Sequence, residues 1–417
     1  MARSDKLTNM IKGSLFLCLL LFCLGDIPPG QRTGLPPVFN PAPVPVGKKI
    51  HKKIFAHLMP WFETKETNLP AGAWGIHWTM ANRNPDSIGA DGRRQIASFY
   101  YPLTGPYASG DPDIIEYQLL LMKYSGIDGV CIDWPGITQL YDYPLLVRNT
   151  EKVISLIGKV GLHYAIVYED QDINIAAGKG VVTDKIAAAR EDMRYLQTHY
   201  WSDSSYERLG SAPLLLDFGP QTFLKAEDWT AIFSALSSSP AFFTLWAHEN
   251  YAGSNATGAF AWINADHLAS LRSFYTGKEA NPFIASAYPG FNAYYAQGGW
   301  GGPTFSIDHD NLRTFRETLD LALHSNAAYV QLPTWNDYGE GTIIEPTTEF
   351  QYGYLTTLQQ TLGVAFGEAE LKMVAGLYRL RKKYAGNSAV QQKLDVVFSD
   401  LASLRTTEAR LILNSIQ

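Results

Sequence analysis

Eight apolar runs of strand length, separated mostly by helix-period segments, limit what this chain can fold into. They are IFAHLMPWFE (54–63), GVCIDWPG (129–136), LHYAIVYED (162–170), APLLLDFG (212–219), AFFTLWAHE (241–249), AFAWIN (259–264), PFIASAYPG (282–290) and AYVQLPTWND (328–337). Runs apolar on both faces, alternating with helices, read as parallel strands covered by those helices. Helical patterns fall at 112–126, with Asp111 placed to cap the first turn, and near 144–160, 180–200, 226–237, 265–275 and 309–325. The link 250–258 is too short for a full helix. Eight such units predict an α/β fold, a closed (β/α)8 TIM barrel, with its domain at 51–365. Residues 366–417 continue in helical period and read as a C-terminal helical appendage. The short basic run Arg379, Arg381, Lys382 and Lys383 is expected on its solvated face.

In a closed barrel the strand ends converge on one rim. Here they carry Trp61 and Glu63, Asp133 and Trp134, Tyr168, Glu169 and Asp170, Asp217, Trp246, His248 and Glu249, Trp262 and Asn264, Tyr288, then Asn336 and Asp337. An unpaired carboxylate is costly to bury, so this concentration of acids implies a polar, working mouth. Aromatic residues make up 13 % of the chain. Aromatic faces beside carboxylates and amides suit sugars: the CH face of a pyranose stacks on Trp or Tyr while Asp, Glu, Asn and His bind its hydroxyls. The long insertion 64–111, rich in Trp, Gly and Tyr, belongs over the same mouth. Trp61, Trp74, His77, Trp78, Asp133, Trp134, Glu169, Trp246, His248, Tyr288 and Asn336 are therefore the candidate substrate contacts.

The segment TWNDYGEGTIIEP (334–346) leaves the last run and at once presents two carboxyl groups, Asp337 and Glu340, among aromatics and glycines. Glycoside hydrolysis needs such a pair flanking the scissile bond, one protonated to assist the leaving group and the other ionised. Glu345 lies beyond the turn, before Pro346, and reads as a stabiliser of the loop.

Other classes find less support. The net charge is −6 with no basic stripe, which argues against nucleic acid, whose phosphates demand clustered Lys and Arg. The nine His are scattered, without metal-ligand spacing, so neither metal nor cofactor is expected. IDHD (307–310) reads as a helix N-terminus. GGWGG (298–302) lacks the Lys-Ser/Thr of a phosphate loop and reads as a flexible loop over the cleft. A non-catalytic glycan-binding barrel is the serious rival; it would keep the aromatics and could lose a carboxylate.

At the N-terminus, Arg3, Lys6 and Lys12 precede the apolar run LFLCLLLFCL (15–24). That is far short of the roughly 20 residues that span a bilayer, so a signal peptide over 1–25 and an exported protein (periplasmic, extracellular or a surface lipoprotein) are expected. Cys23 and Gly25 stand at −3 and −1 if cleavage precedes Asp26. Cleavage before a lipidated Cys23 is the alternative, although Phe22 is large for that signal; an uncleaved end is the third. Lipid at Cys23 is the only membrane link foreseen. Residues 26–50, with seven prolines, read as an extended linker. Only Cys131 would remain in the mature domain, which excludes an internal disulfide.

The strand-eight segment resembles the last-strand motif of glycoside hydrolase family 99, the endo-α-mannosidases and endo-α-mannanases, which typically reads Asn-Glu-Trp-His-Glu-Gly-Thr-x-Ile-Glu. GAWGIHW (72–78), the stretch from Gly92 to Trp134 and AYPGFN (287–292) are similar to further segments of that family. Two positions depart: the family's first Glu is Asp337 here, and its Trp-His pair is Tyr338-Gly339. WNDYGE is instead similar to family 71, the α-1,3-glucanases. Either resemblance implies that Asp337 and Glu340 carry the chemistry, with Glu340 as acid and Asp337 as base. Family 99 implies retention, the base acting on the substrate's own 2-hydroxyl; family 71 implies inversion through water. The resemblance implies an oligo- or polysaccharide substrate.

Overall fold

The computed structural model describes residues 41–278 and 282–416. The expected signal peptide, Cys18, Cys23 and most of the proline-rich linker lie outside these residues. Eight parallel strands form the centre: β1 (Lys53–Leu58), β2 (Gly129–Trp134), β3 (His163–Tyr168), β4 (Ala212–Asp217), β5 (Ala241–Leu245), β6 (Gly258–Phe260), β7 (Phe283–Ser286) and β8 (Tyr329–Leu332). Each pairs with the next, and β8 pairs with β1, with Lys53 opposite Tyr329. The sheet is closed, and the chain is a (β/α)8 barrel. Every expected strand run is present. The short β5–β6 link holds only a four-residue helical turn, Glu249–Ala252, and a 3-10 turn, Gly253–Asn255.

The helix Pro112–Tyr124 shows why the local sequence folds as it does. Asp111 accepts a hydrogen bond from the Asp113 N–H at 3.0 Å, and Pro112 occupies the first turn, where its missing N–H costs nothing. Its apolar residues sink between the barrel and the tail helices Glu368–Lys383 and Ser388–Ala402, on which a last helix, Thr406–Ile416, packs. The basic run of that tail is not simply solvated. Arg381 is buried and donates to Glu116 through Nε at 3.2 Å and Nη2 at 3.0 Å, and to Asp395 at 2.7 Å. Lys382 pairs with Asp111 and with Asp113. A fork of guanidinium donors meeting a carboxylate is the kind of pair that tolerates burial, so this run ties the appendage to the first barrel helix. Residues 41–50 also lie on the domain: the Val44 N–H donates to the Ala402 carbonyl at 3.0 Å, and Lys49 to the Leu362 carbonyl at 2.8 Å.

Strand pleating sets what reaches the barrel axis. Trp134, Tyr168, Asp217 and Thr244 are register partners on β2 to β5 and so share one face of the sheet. It is the outer face: the Trp134 ring lies 6.1 Å from Tyr195 and 6.2 Å from Tyr200, and the Tyr168 hydroxyl donates to Asp192 of the helix Lys185–His199 at 2.7 Å. Asp133 and Glu169, adjacent to the outward Trp134 and Tyr168, reach the interior instead. A second aromatic cluster, with Phe62, Trp78, Tyr107 and Tyr338 at its centre, fills the space under the first loop.

Candidate active site

The segment after β8 is fastened to the end of β1. The Trp335 N–H donates to the His57 carbonyl at 2.7 Å. The Asn336 side chain accepts from the Met59 N–H at 2.9 Å and donates to the Met59 carbonyl at 3.0 Å. Thr334 Oγ1 accepts from the Asp337 N–H at 2.7 Å, and Asp337 Oδ1 accepts from the Glu340 N–H at 2.8 Å. Gly341 has φ +65°, and a Cβ there would meet the Asn292 carbonyl oxygen at 2.7 Å, so the turn needs glycine at that point. Glu345 is buried and accepts from the Tyr107 and Tyr338 hydroxyls at 2.9 and 2.8 Å and from Gln118 at 2.8 Å. It holds the loop from behind and takes no part in the cavity.

A cavity of about 280 Å³ opens at the C-terminal end of the barrel. Asp337 and Glu340 line it, with Asp133 and Glu169 as a second carboxyl pair. Trp61 and His77 form part of the wall, stacked at 4.3 Å with their planes 8° apart, and His77 Nε2 lies 3.2 Å from Asp142 Oδ2. Asp172, held by the Tyr143 hydroxyl at 2.7 Å, and Tyr295, which hydrogen-bonds Glu340, add to the polar lining, as do His57 and Gln171. Phe218 and Trp262 supply apolar surface.

Burial sets the protonation of these groups, and their partners set its order. Burial lifts the Glu340 carboxyl well above its ordinary value, the charge of Asp337 lifts it further, and the Tyr295 hydrogen bond opposes. Burial also lifts Asp337, but only to about 6, because the Glu340 N–H, the His77 charge and the Gly339 N–H all favour its ionised form. Near neutral pH, Glu340 therefore holds the proton and Asp337 is ionised. Asp133 is pushed up to about 7 by burial, eased by a hydrogen bond with Glu169, while burial and the Asp133 charge push Glu169 well up. That pair retains a proton between them.

Of the candidate contacts, Trp61, His77, Asp133 and Glu169 meet around the cavity beside Asp337 and Glu340. The other seven do not line it. Trp78 is buried against Phe62 at 4.1 Å and donates its indole N–H to the Tyr107 carbonyl at 2.8 Å. Trp134 faces the outer helices because its neighbour Asp133 faces in. Trp74 donates to Asp86 at 3.0 Å, with the Arg94 guanidinium over its ring. Trp246 packs edge-on to Phe274, and His248 leads into the Glu249–Ala252 turn, its ring against Tyr251. Tyr288 is buried and bonded through its hydroxyl to His267 Nδ1 at 2.9 Å. Asn336 ties the turn to β1. Of the acids expected at the rim, Glu63 pairs with Arg148, Asp170 accepts the N–H groups of Gln221, Thr222 and Phe223, and Asp217 is buried on the outer row. Asp142, Tyr143, Asp172 and Tyr295 escaped the sequence reading. Asp142 precedes and Tyr143 opens the helix Tyr143–Val160, Asp172 lies in the first turn of the helix Asp170–Gly178, and Tyr295 opens the short helical turn Tyr295–Gly298. None belongs to a motif, and only proximity to a strand end, as for Asp172 three residues past Glu169, could have pointed to one of them.

These raised carboxyls give the fold a directional response to pH. Asp133, Asp172 and Glu345 are each pushed up to about 7 by burial, whereas in the unfolded chain such groups ionise near 4. Between those limits the folded state binds more protons than the unfolded state, so stability falls as pH rises. The thermal midpoint is expected to be higher at about pH 5 than at about pH 8; the reverse order in a melting series would contradict the burial described above.

The glycosyl hydrolase family 99 model matches residues 74–359. A glycoprotein endo-alpha-1,2-mannosidase from Xenopus laevis is 23 % identical over 287 residues, which are 63 % of this chain and 59 % of the frog protein. The chain thus spans less than two thirds of that relative's length. Among solved structures, the GH99 endo-alpha-mannosidase from Bacteroides thetaiotaomicron, in complex with BIS-TRIS-propane, superposes with a TM-score of 0.58 at 20 % identity, covering 76 % of this chain and 96 % of that one. A glycoside hydrolase-like protein gives 0.54 at 13 % identity, over 79 % of this chain and 99 % of its own. The structural likenesses speak for the fold alone. The family match runs through most of the barrel and takes in the paired carboxyls of the last turn: the chain belongs to glycosyl hydrolase family 99.

Proposed function

We propose that the protein is an exported glycosidase that cleaves α-linked glycans internally, with α-mannan-type substrates first among them. The observation that carries this reading is the Asp337–Glu340 pair in one cavity with protonation split between them, Glu340 neutral and Asp337 ionised. A protonated carboxyl can give its proton to the glycosidic oxygen while an ionised one withdraws a proton from the attacking group. Asp337 acts on the substrate's 2-hydroxyl or on water. Trp61 offers a flat apolar face in the cavity wall, and Asp133, Glu169 and His77 offer partners for hydroxyls. Export rests on the basic and apolar N-terminal run, and family membership supports the sugar class.

A second reading, an inverting α-1,3-glucanase, is favoured by one feature. Asp337 is a methylene shorter than the Glu usual at this position, which leaves more room for a water. The test is to incubate the purified protein with α-mannans, α-1,3-glucan and other α-glycans and follow the anomer of the first product by proton NMR. Internal cleavage of α-mannan with retention supports the first reading. Inversion on α-1,3-glucan supports the second. Binding without cleavage of any glycan would leave a non-catalytic barrel.

A further inference from the structure

The cavity, at about 280 Å³, sits at the small end of ligand pockets, which run from about 300 to 1,000 Å³. A glycan cleaved internally must therefore continue past its mouth, and Trp300 stands there. The residue is 43 % exposed. Its ring lies 6.0 Å from the Tyr295 ring at an interplanar angle of 29°, and 6.3 Å edge-on from His77. Both neighbours line the cavity.

The loop that presents Trp300 is fastened by specific bonds. The Gly298 N–H donates to the Tyr294 carbonyl at 2.7 Å, the Gly298 carbonyl accepts from Ala81 at 2.9 Å, and the Trp300 N–H donates to the Tyr295 carbonyl at 2.8 Å. A Cβ on Gly298 would strike Met80 Sδ at 2.1 Å, and one on Gly302 would strike Tyr295 Cβ at 2.8 Å. Gly299 and Gly301 have φ +87° and +78°, which L side chains rarely adopt. Four glycines thus hold one large indole half-exposed, clear of the barrel core. An exposed aromatic anchored in this way, beside a cavity, points to something that stacks on it.

We propose that Trp300 is the stacking platform for the sugar ring on the leaving-group side of the cleaved bond, the first ring outside the cavity. The inference rests on the glycosidase reading and on Glu340 as the acid. The acid faces the departing oxygen, so the ring that leaves lies on its side. Tyr295 bonds Glu340 with its hydroxyl and meets Trp300 with its ring, which puts the indole next in line.

Steady-state kinetics of Trp300→Ala and Trp300→Phe on two substrates test this. One is an α-linked oligosaccharide whose leaving group is a sugar; the other is the α-glycosyl fluoride of the same glycone, which has none. Trp300→Ala should lose roughly ten- to hundredfold in kcat/KM on the oligosaccharide, chiefly through KM, as for an aromatic anchor of an interface. The fluoride should be cleaved at the wild-type rate, and Trp300→Phe should restore most of the loss. Equal losses on both substrates, or none on either, overturn the platform while leaving the glycosidase reading intact. A wild-type protein that cleaves neither substrate nor any other glycan overturns the glycosidase reading, and the platform with it.

Discussion

Glu340→Gln should lower turnover by a factor of about 10²–10⁴ while glycan affinity survives, because the amide keeps the shape and removes the proton that assists the leaving group. Asp337→Asn should lose at least as much. The two variants should part on substrates with an excellent leaving group: a glycosyl fluoride needs little protonation, so it should partly rescue Glu340→Gln and leave Asp337→Asn inactive. That difference follows from the unequal surroundings of the two carboxyls, one facing the other's charge and a tyrosine, the other held ionised by two backbone N–H groups and His77. Near-wild-type turnover in both variants would move the chemistry to Asp133 and Glu169, the remaining buried pair in the cavity.

Trp134→Ala should cost about 3–5 kcal/mol of stability, the usual range for emptying a fully buried aromatic site, and leave glycan affinity unchanged. The ring is wholly buried between β2 and the helix Lys185–His199, against Tyr168, Tyr195 and Tyr200. Denaturant unfolding gives the first quantity, and calorimetric binding to the Glu340→Gln variant, with and without Trp134→Ala, gives the second. A weakened affinity with unaltered stability would place the indole back in the cleft.

Trp134 also shows where sequence reading stops. The eight strand runs were legible because burial on both faces writes an unbroken apolar string, and the final turn was legible because two carboxyls beside aromatics have few structural uses. The parity of each strand was not legible. In a run apolar on both faces nothing marks which residues face the axis, so Asp133 and Trp134 both read as cleft residues although the pleat allows only one of them there. The same ambiguity put Asp217 at the rim. In the first loop, GAWGIHW holds three candidates, of which only His77 reaches the cavity. Trp78 fills the space beneath the loop, a role decided by Phe62 and Tyr338 from distant parts of the chain. Asp142, Asp172 and Tyr295 meet Asp337 and Glu340 through topology alone.

The bonds from Trp335 and Asn336 back to His57 and Met59 join residues nearly three hundred positions apart, across the seam where the last strand meets the first. During synthesis Asp337 and Glu340 are among the last parts of the barrel to emerge, and the bonds that fasten their turn form only when β8 closes on β1. A nascent chain halted before residue 337 can hold most of the cavity wall and yet neither carboxyl of the pair. On the proposed function activity would report ring closure, and a fragment carrying β1 to β7 should gain it only when the missing strand and turn are supplied in trans.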